Sequence, residues 1–146
     1  MTTIVMKMAA LALALLVGSA LATECPSELA VLSDTYTVVD GSFTYQLSPC
    51  GNAARTPCGG DNVGACQSWS AGRKLLGQSS MRNVTAHSGH YTIHLGGGAP
   101  STVCNGDNRV VIDVYCNKAA PVPKIVFGSL SSCVYHFMAV ANVECM

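Results

Sequence analysis

Eight cysteines, Cys25, Cys50, Cys58, Cys66, Cys104, Cys116, Cys133 and Cys145, constrain what this 146-residue chain can fold into more than any other feature. All of them lie beyond residue 22, and the stretch before them has the three parts of a secretory signal peptide. It has one positive charge at Lys7, an apolar run from Met8 to Val17, and the small-residue site Ala20-Leu21-Ala22. That run is shorter than the roughly 20 residues of a spanning helix, so the expectation is a signal peptide over 1–22, removed to leave a soluble domain over 23–146. An even number of cysteines in a secreted chain reads as a disulfide framework. Zinc binding needs pairs of the C-x-x-C kind, and the closest spacing here is Cys58 to Cys66, so no metal is expected. Spacing alone leaves on the order of a hundred connectivities open.

A core has to come from few charges and many β-branched residues. The full chain carries eight Lys and Arg against eight Asp and Glu; removing Lys7 leaves seven against eight. No basic stripe is present, which argues against nucleic acid and anionic membrane surfaces as partners. The composition suits a folded β domain rather than a disordered segment.

The order of runs and breaks points the same way. Residues 35–47, TYTVVDGSFTYQL, place two β-prone runs around Asp40-Gly41, a hairpin signal. Residues 51–64 are rich in Gly, Asn and Pro and read as a loop. ACQSW opens like a strand, with a turn at Gly72. HYTIHL, residues 90–95, alternates with Tyr91, Ile93 and Leu95 on one face, and Gly96-Gly97-Gly98-Ala99-Pro100 breaks it. In RVVIDVYC, Val110, Ile112 and Val114 form the core face, while Arg109, Val111, Asp113 and Tyr115 share the other, which would carry Arg109 toward a ligand. In CVYHFMAV, Cys133, Tyr135 and Phe137 point one way. With no helix of useful length after the leader, the expected fold is an all-β, disulfide-stapled antiparallel flattened barrel or sandwich.

Catalytic signatures are weak. There is no G-x-S-x-G, no acid–base pair stands out, and bridged cysteines leave no thiol nucleophile, so no enzyme and no cofactor are expected. His90 and His94 on one strand stand ~13 Å apart, too far to share a metal ion. Asn83-Val84-Thr85 is an N-glycosylation sequon, which argues for exposure of that segment.

The last third carries the functional signal. Arg109 stands five residues after Cys104, and Tyr135 two residues after Cys133, each held at a short offset from a cysteine. Such anchoring suits recognition of a small polar ligand by preset hydrogen bonds. With its cysteine order and its CVYHF…C ending, the chain over about residues 25–145 resembles the mannose-6-phosphate receptor homology (MRH) domain, a β-rich lectin module of the secretory pathway. The resemblance implies the disulfides Cys25–Cys50, Cys58–Cys66, Cys104–Cys133 and Cys116–Cys145. It also implies that Gln67 and Arg109 read the axial 2-hydroxyl of mannose and Tyr135 an equatorial one.

One member of the family's set is missing. The glutamate about eight residues before the seventh cysteine falls at Ile125, and no Asp or Glu occurs between Asp113 and Glu144. That carboxylate would accept charge-assisted hydrogen bonds worth about 1.5–3 kcal/mol each. Where the family contacts phosphate, residues 96–102 offer a glycine-rich loop with Ser101 and Thr102 as donors, without a neighbouring Lys or Arg in sequence. The implied function is binding of mannose-type N-glycans, with or without a 6-phosphate, in secretory or endolysosomal glycoprotein sorting. The alternative is the same fold used as an interaction or structural module with a decayed sugar site.

Overall fold

The structure, a computed structural model, describes residues 24–53 and 55–146; residues 1–22, expected from the sequence to be a signal peptide, lie outside the described residues. A six-residue 3₁₀ helix, Ser27–Leu32, leads in. It was not expected, and it buries Leu29 and Leu32, three apart and so on one side of a three-residue turn. The strands follow: β1 Tyr36–Asp40, β2 Phe43–Leu47, β3 Ala65–Trp69, β4 Gly72–His87, β5 His90–Gly97, β6 Pro100–Ser101, β7 Gly106–Asp107, β8 Arg109–Cys116, β9 Lys124–Ser131 and β10 Val134–Ala141. Strands β6 and β7 form a small separate ribbon. The other eight form one sheet in the order β1-β2-β3-β4-β5-β8-β10-β9, whose outer strands β1 and β9 approach each other to make a nearly closed barrel.

Alternation explains the interior. A row of inward side chains crosses five strands at matched register, Val84, Ile93, Ile112, Phe137 and Phe127. Leu95 and Val110 form the next row, both fully buried. The all-β barrel expected from the runs and breaks is what forms, with one difference in direction: β8 and β10 are parallel. The chain leaves β8, crosses to β9, and returns as β10 between β9 and β8, so β10 must run the way β8 does.

The same four disulfides that the resemblance implies are present, with Cα separations of 5.6–5.9 Å. Two of them clamp the parallel pair. Cys104 and Cys133 join its leading ends, Cys116 and Cys145 its trailing ends. Each such bridge contributes about 2–5 kcal/mol in a small secreted domain.

Two local expectations shift. The first hairpin turns on Gly41-Ser42 rather than Asp40-Gly41, because Asp40 still pairs with Phe43. Gly41 takes φ +58° at the first central position, as a type II′ turn requires. Gly96 to Gly98 do not make a free loop. Gly96 and Gly97 extend β5, the Gly98 N–H donates to the Asn108 carbonyl, and the Ala99 N–H donates to that of Leu75. A Cβ on Gly98 would run into the carbonyl oxygens of Leu76 and Asn108. These glycines are there to let three backbones approach.

Candidate functional site

The interior row at one end of the barrel changes from apolar to polar. Tyr45 on β2, Gln67 on β3 and Lys74 on β4 are register partners, side by side on the inner face. Facing them across the barrel is Tyr135 on β10, opposite Leu130 of β9. Tyr45, Gln67 and Tyr135 are all buried.

They form a directed chain of hydrogen bonds. The Tyr135 hydroxyl donates to Gln67 Oε1 at 3.5 Å, and Gln67 Nε2 donates to the Tyr45 hydroxyl at 3.2 Å. That order leaves the Tyr45 O–H, the second Gln67 N–H and the Tyr135 lone pairs for a ligand. Burial raises the Tyr45 phenol above its ordinary pKa; the Gln67 hydrogen bond lowers it, and Tyr135 and the Asp40 charge raise it further. The hydroxyl therefore stays a neutral donor. Lys74 Nζ lies 5.5 Å from the centre of the Tyr135 ring, within cation–π reach. Among the described residues the one ion pair is Lys118–Glu144, so the Lys74 ammonium has no carboxylate partner.

Two cavities open from this row, of about 440 and 550 Å³, within the range of ligand sites. They share Lys74, Leu130 and Tyr135. The first continues past Ser101, Asn108, Ser132 and the Cys104–Cys133 bridge; the second past Tyr45, Gln67, Asp40, Phe43 and Trp69. The lip of the first cavity is strained. Ser132 and Cys133 make the two-residue β9–β10 turn with φ +48° and +67°, and Asn105 has φ +53°. A left-handed residue without glycine costs roughly 1–2 kcal/mol; here the hairpin and the disulfide hold it.

The expected site residues are only partly brought together. Gln67 and Tyr135 stand within hydrogen-bond reach of each other. Arg109 does not join them: it pairs in register with Val134, and its own neighbour Val110 is the one aligned with buried Tyr135. Alternation therefore turns Arg109 to the outer face, where it is exposed and lines neither cavity. The inward place belongs to buried Asn108, whose Nδ2 donates to the Ala99 carbonyl at 2.7 Å. Arg109 and Tyr135, expected from their cysteine offsets to converge, stand on opposite faces of the β8–β10 pair. Ser101 lines the first cavity together with Lys74, a basic neighbour supplied by a distant strand; Thr102 is exposed and outside it. Ile125 is buried in the core against Ala139, away from the site. Asn83 is exposed on β4. His87 and His90 are stacked cross-strand partners at 4.5 Å, and no group of three metal-ligating side chains occurs among the described residues.

Sequence reasoning missed Tyr45, Lys74 and Asn108. For Asn108 the signal was available, since it precedes the inward set Val110, Ile112 and Val114 by one more alternation.

The described structure can be superposed on known ones. Domain 11 of chicken IGF2R matches with a TM-score of 0.68 at 18% identity, over 80% of this chain and 82% of that one. Domain 11 of the echidna M6P/IGF2R receptor matches with 0.66 at 21% identity, over 85% and 93%. The MRH domain of Yos9, solved in complex with α3,α6-Man5, matches with 0.50 at 13% identity, over 77% of each. The chain has the MRH fold. No family model and no curated protein matches the sequence. The Tyr45–Gln67–Tyr135 cleft is the candidate site on its own geometry, a cavity lined by fixed donors and acceptors. No helix among the described residues is long and apolar enough to cross a membrane.

Proposed function

We propose that the cleft binds mannose-type N-glycans, without catalysis, in glycoprotein sorting within the secretory or endolysosomal lumen. The observation that carries this reading is the Tyr135–Gln67–Tyr45 chain, a fixed set of donors and acceptors at the mouth of a cavity. A sugar hydroxyl is both donor and acceptor, and the wrong epimer leaves buried partners unpaired, which is how such a site discriminates. The MRH domain of Yos9, solved in complex with α3,α6-Man5, supports the glycan part of this reading. Lys74 with Ser101 supplies a cation and a hydroxyl on one wall of the first cavity, so a 6-phosphate on the sugar has a partner there.

The outward Arg109 and the missing glutamate favour the second reading, the same fold as a protein-interaction module. Titration of the secreted domain with mannose, mannose-6-phosphate and galactose separates the two. Selective binding of mannose on the order of 10⁻⁴ M or weaker, tighter for the phosphate and relaxed by Lys74→Gln, supports the lectin. Equal or absent binding of all three leaves the interaction module.

A further inference from the structure

The second cavity extends beyond the tyrosine–glutamine row to a rim with a chemistry of its own. One register step outward from Gln67 stands Trp69, the only tryptophan of the chain, paired with Gly72. Its indole is held on two sides. Phe43 meets it edge-on at 6.0 Å and 71°, and a Cβ on Gly72 would stand 3.2 Å from the ring. Trp69 remains half-buried and Phe43 exposed, both lining the cavity with Asp40, Ser42 and Ser70 from the two adjoining hairpin turns. Asp40 is exposed and is not in the one ion pair of the described residues.

We propose that this rim is a second saccharide subsite, so that the ligand is an oligosaccharide of at least two residues. Trp69 would stack on one ring and Asp40 would accept its hydroxyls. The inference rests on the glycan reading of the cleft and adds to it the size of the ligand. A pyranose has an apolar C–H face and a polar edge. A fixed indole flanked by a carboxylate and two serine hydroxyls matches both, and a ring already pinned has little freedom to lose on binding. Asp40 also supplies the charged acceptor that is lacking at position 125. It reaches the cavity from the opposite end of the chain, and its charge is felt at the Tyr45 phenol.

Because Trp69 is the sole tryptophan, its fluorescence reports the rim alone. The test is titration of the secreted domain with mannose and with α-linked mannobiose, followed by Trp emission and by calorimetry. The expected result is mannobiose binding at least tenfold tighter than mannose, with an emission change that mannose does not produce. Trp69→Leu should bring the ratio of the two affinities close to one, and Asp40→Asn, at an exposed position that does not threaten folding, should lower it several-fold. Equal affinities with no emission change, or a ratio that Asp40→Asn leaves intact, would overturn the subsite while leaving mannose binding in place. If calorimetry shows that neither sugar binds, the glycan reading itself fails, and the rim with it.

Discussion

Tyr135 and Gln67, 68 residues apart in sequence, face each other across the barrel with the Tyr135 hydroxyl 3.5 Å from Gln67 Oε1. Neither is placed by its neighbours in the chain. Gln67 is set by the β2–β3–β4 register, and Tyr135 by the disulfide-clamped parallel pair β8 and β10. The hydrogen bond is long, so it orients more than it stabilises. Its value lies in leaving the acceptor side of Tyr135 and the donor side of Tyr45 turned toward the cavities.

Tyr135→Phe should therefore separate binding from stability. The ring still packs against Tyr45, and only a marginal hydrogen bond is lost. Thermal unfolding should move little, while mannose affinity falls about tenfold, the effect of one lost neutral hydrogen bond of about 1–1.5 kcal/mol. Calorimetric titration beside a melting curve checks both halves.

Arg109→Ala should leave mannose affinity within about twofold, since its side chain is on the outer face and the anchoring contact is its backbone N–H to the Cys133 carbonyl at 3.0 Å. Loss of binding in this variant would mean that Arg109 folds over the strand edge to reach the sugar when the ligand is present.

Gly98→Ala should destabilise the domain without touching any candidate ligand group. The added methyl meets two backbone carbonyls, which cannot rotate away as side chains do. Overpacking of this kind costs roughly 1–3 kcal/mol or more. Denaturant unfolding should show a lower midpoint with an unchanged slope.

The contrast between Arg109 and Gly98 shows what was legible in the sequence. Strand positions with strict alternation were readable: 109–116 was expected as a strand with Val110, Ile112 and Val114 inward, and that is how it lies. The same alternation puts Arg109 opposite the core; that this outer face lies away from Tyr135 depends on the β8–β10 register, which alternation within one strand does not give. The parallel direction of β8 and β10 was also written in the cysteines. Cys104 to Cys116 and Cys133 to Cys145 have the same spacing, which suits two strands running side by side in one direction. Two of the long strands, β4 and β9, were not legible in the sequence. The later half of β4 is polar because one side faces solvent, and β9 lies just after two prolines. Lys74, Tyr45 and Asp40 could not be found this way, because only tertiary pairing brings them to Tyr135.

Processing gives a check on the parts outside the described barrel. A secreted chain should begin at Thr23 and carry a glycan on Asn83, which stands exposed on β4. Intact mass before and after enzymatic removal of N-glycans tests both. Asn83→Gln should lower the mass by one glycan and leave sugar affinity unchanged, because position 83 lines neither cavity.

Restoring a carboxylate distinguishes a position counted in sequence from one defined by register. Counting back from Cys133 points to Ile125, but Ile125 pairs with Ala139, four residues along β10 from Tyr135, or ~13 Å at about 3.3 Å per residue. Ile125→Glu would bury a charge without a partner, so it should cost several kcal/mol, on the order of 2–5, or hold the acid protonated. Binding should not improve. The residue that faces Tyr135 is Leu130, which is 55% exposed and lines both cavities. Leu130→Glu places an acceptor at the mouth of the site, where its charge stays solvated and folding is little affected. Charge-assisted hydrogen bonds to sugar hydroxyls should then tighten mannose binding by about tenfold or more. Lys74 lines the same walls and would compete for the new carboxylate, so Leu130→Glu is measured with and without Lys74→Gln. Tightening in either background supports a sugar site centred on Tyr135. No tightening in both would mean that the cleft does not hold mannose in this orientation, and would turn the assignment toward the interaction module.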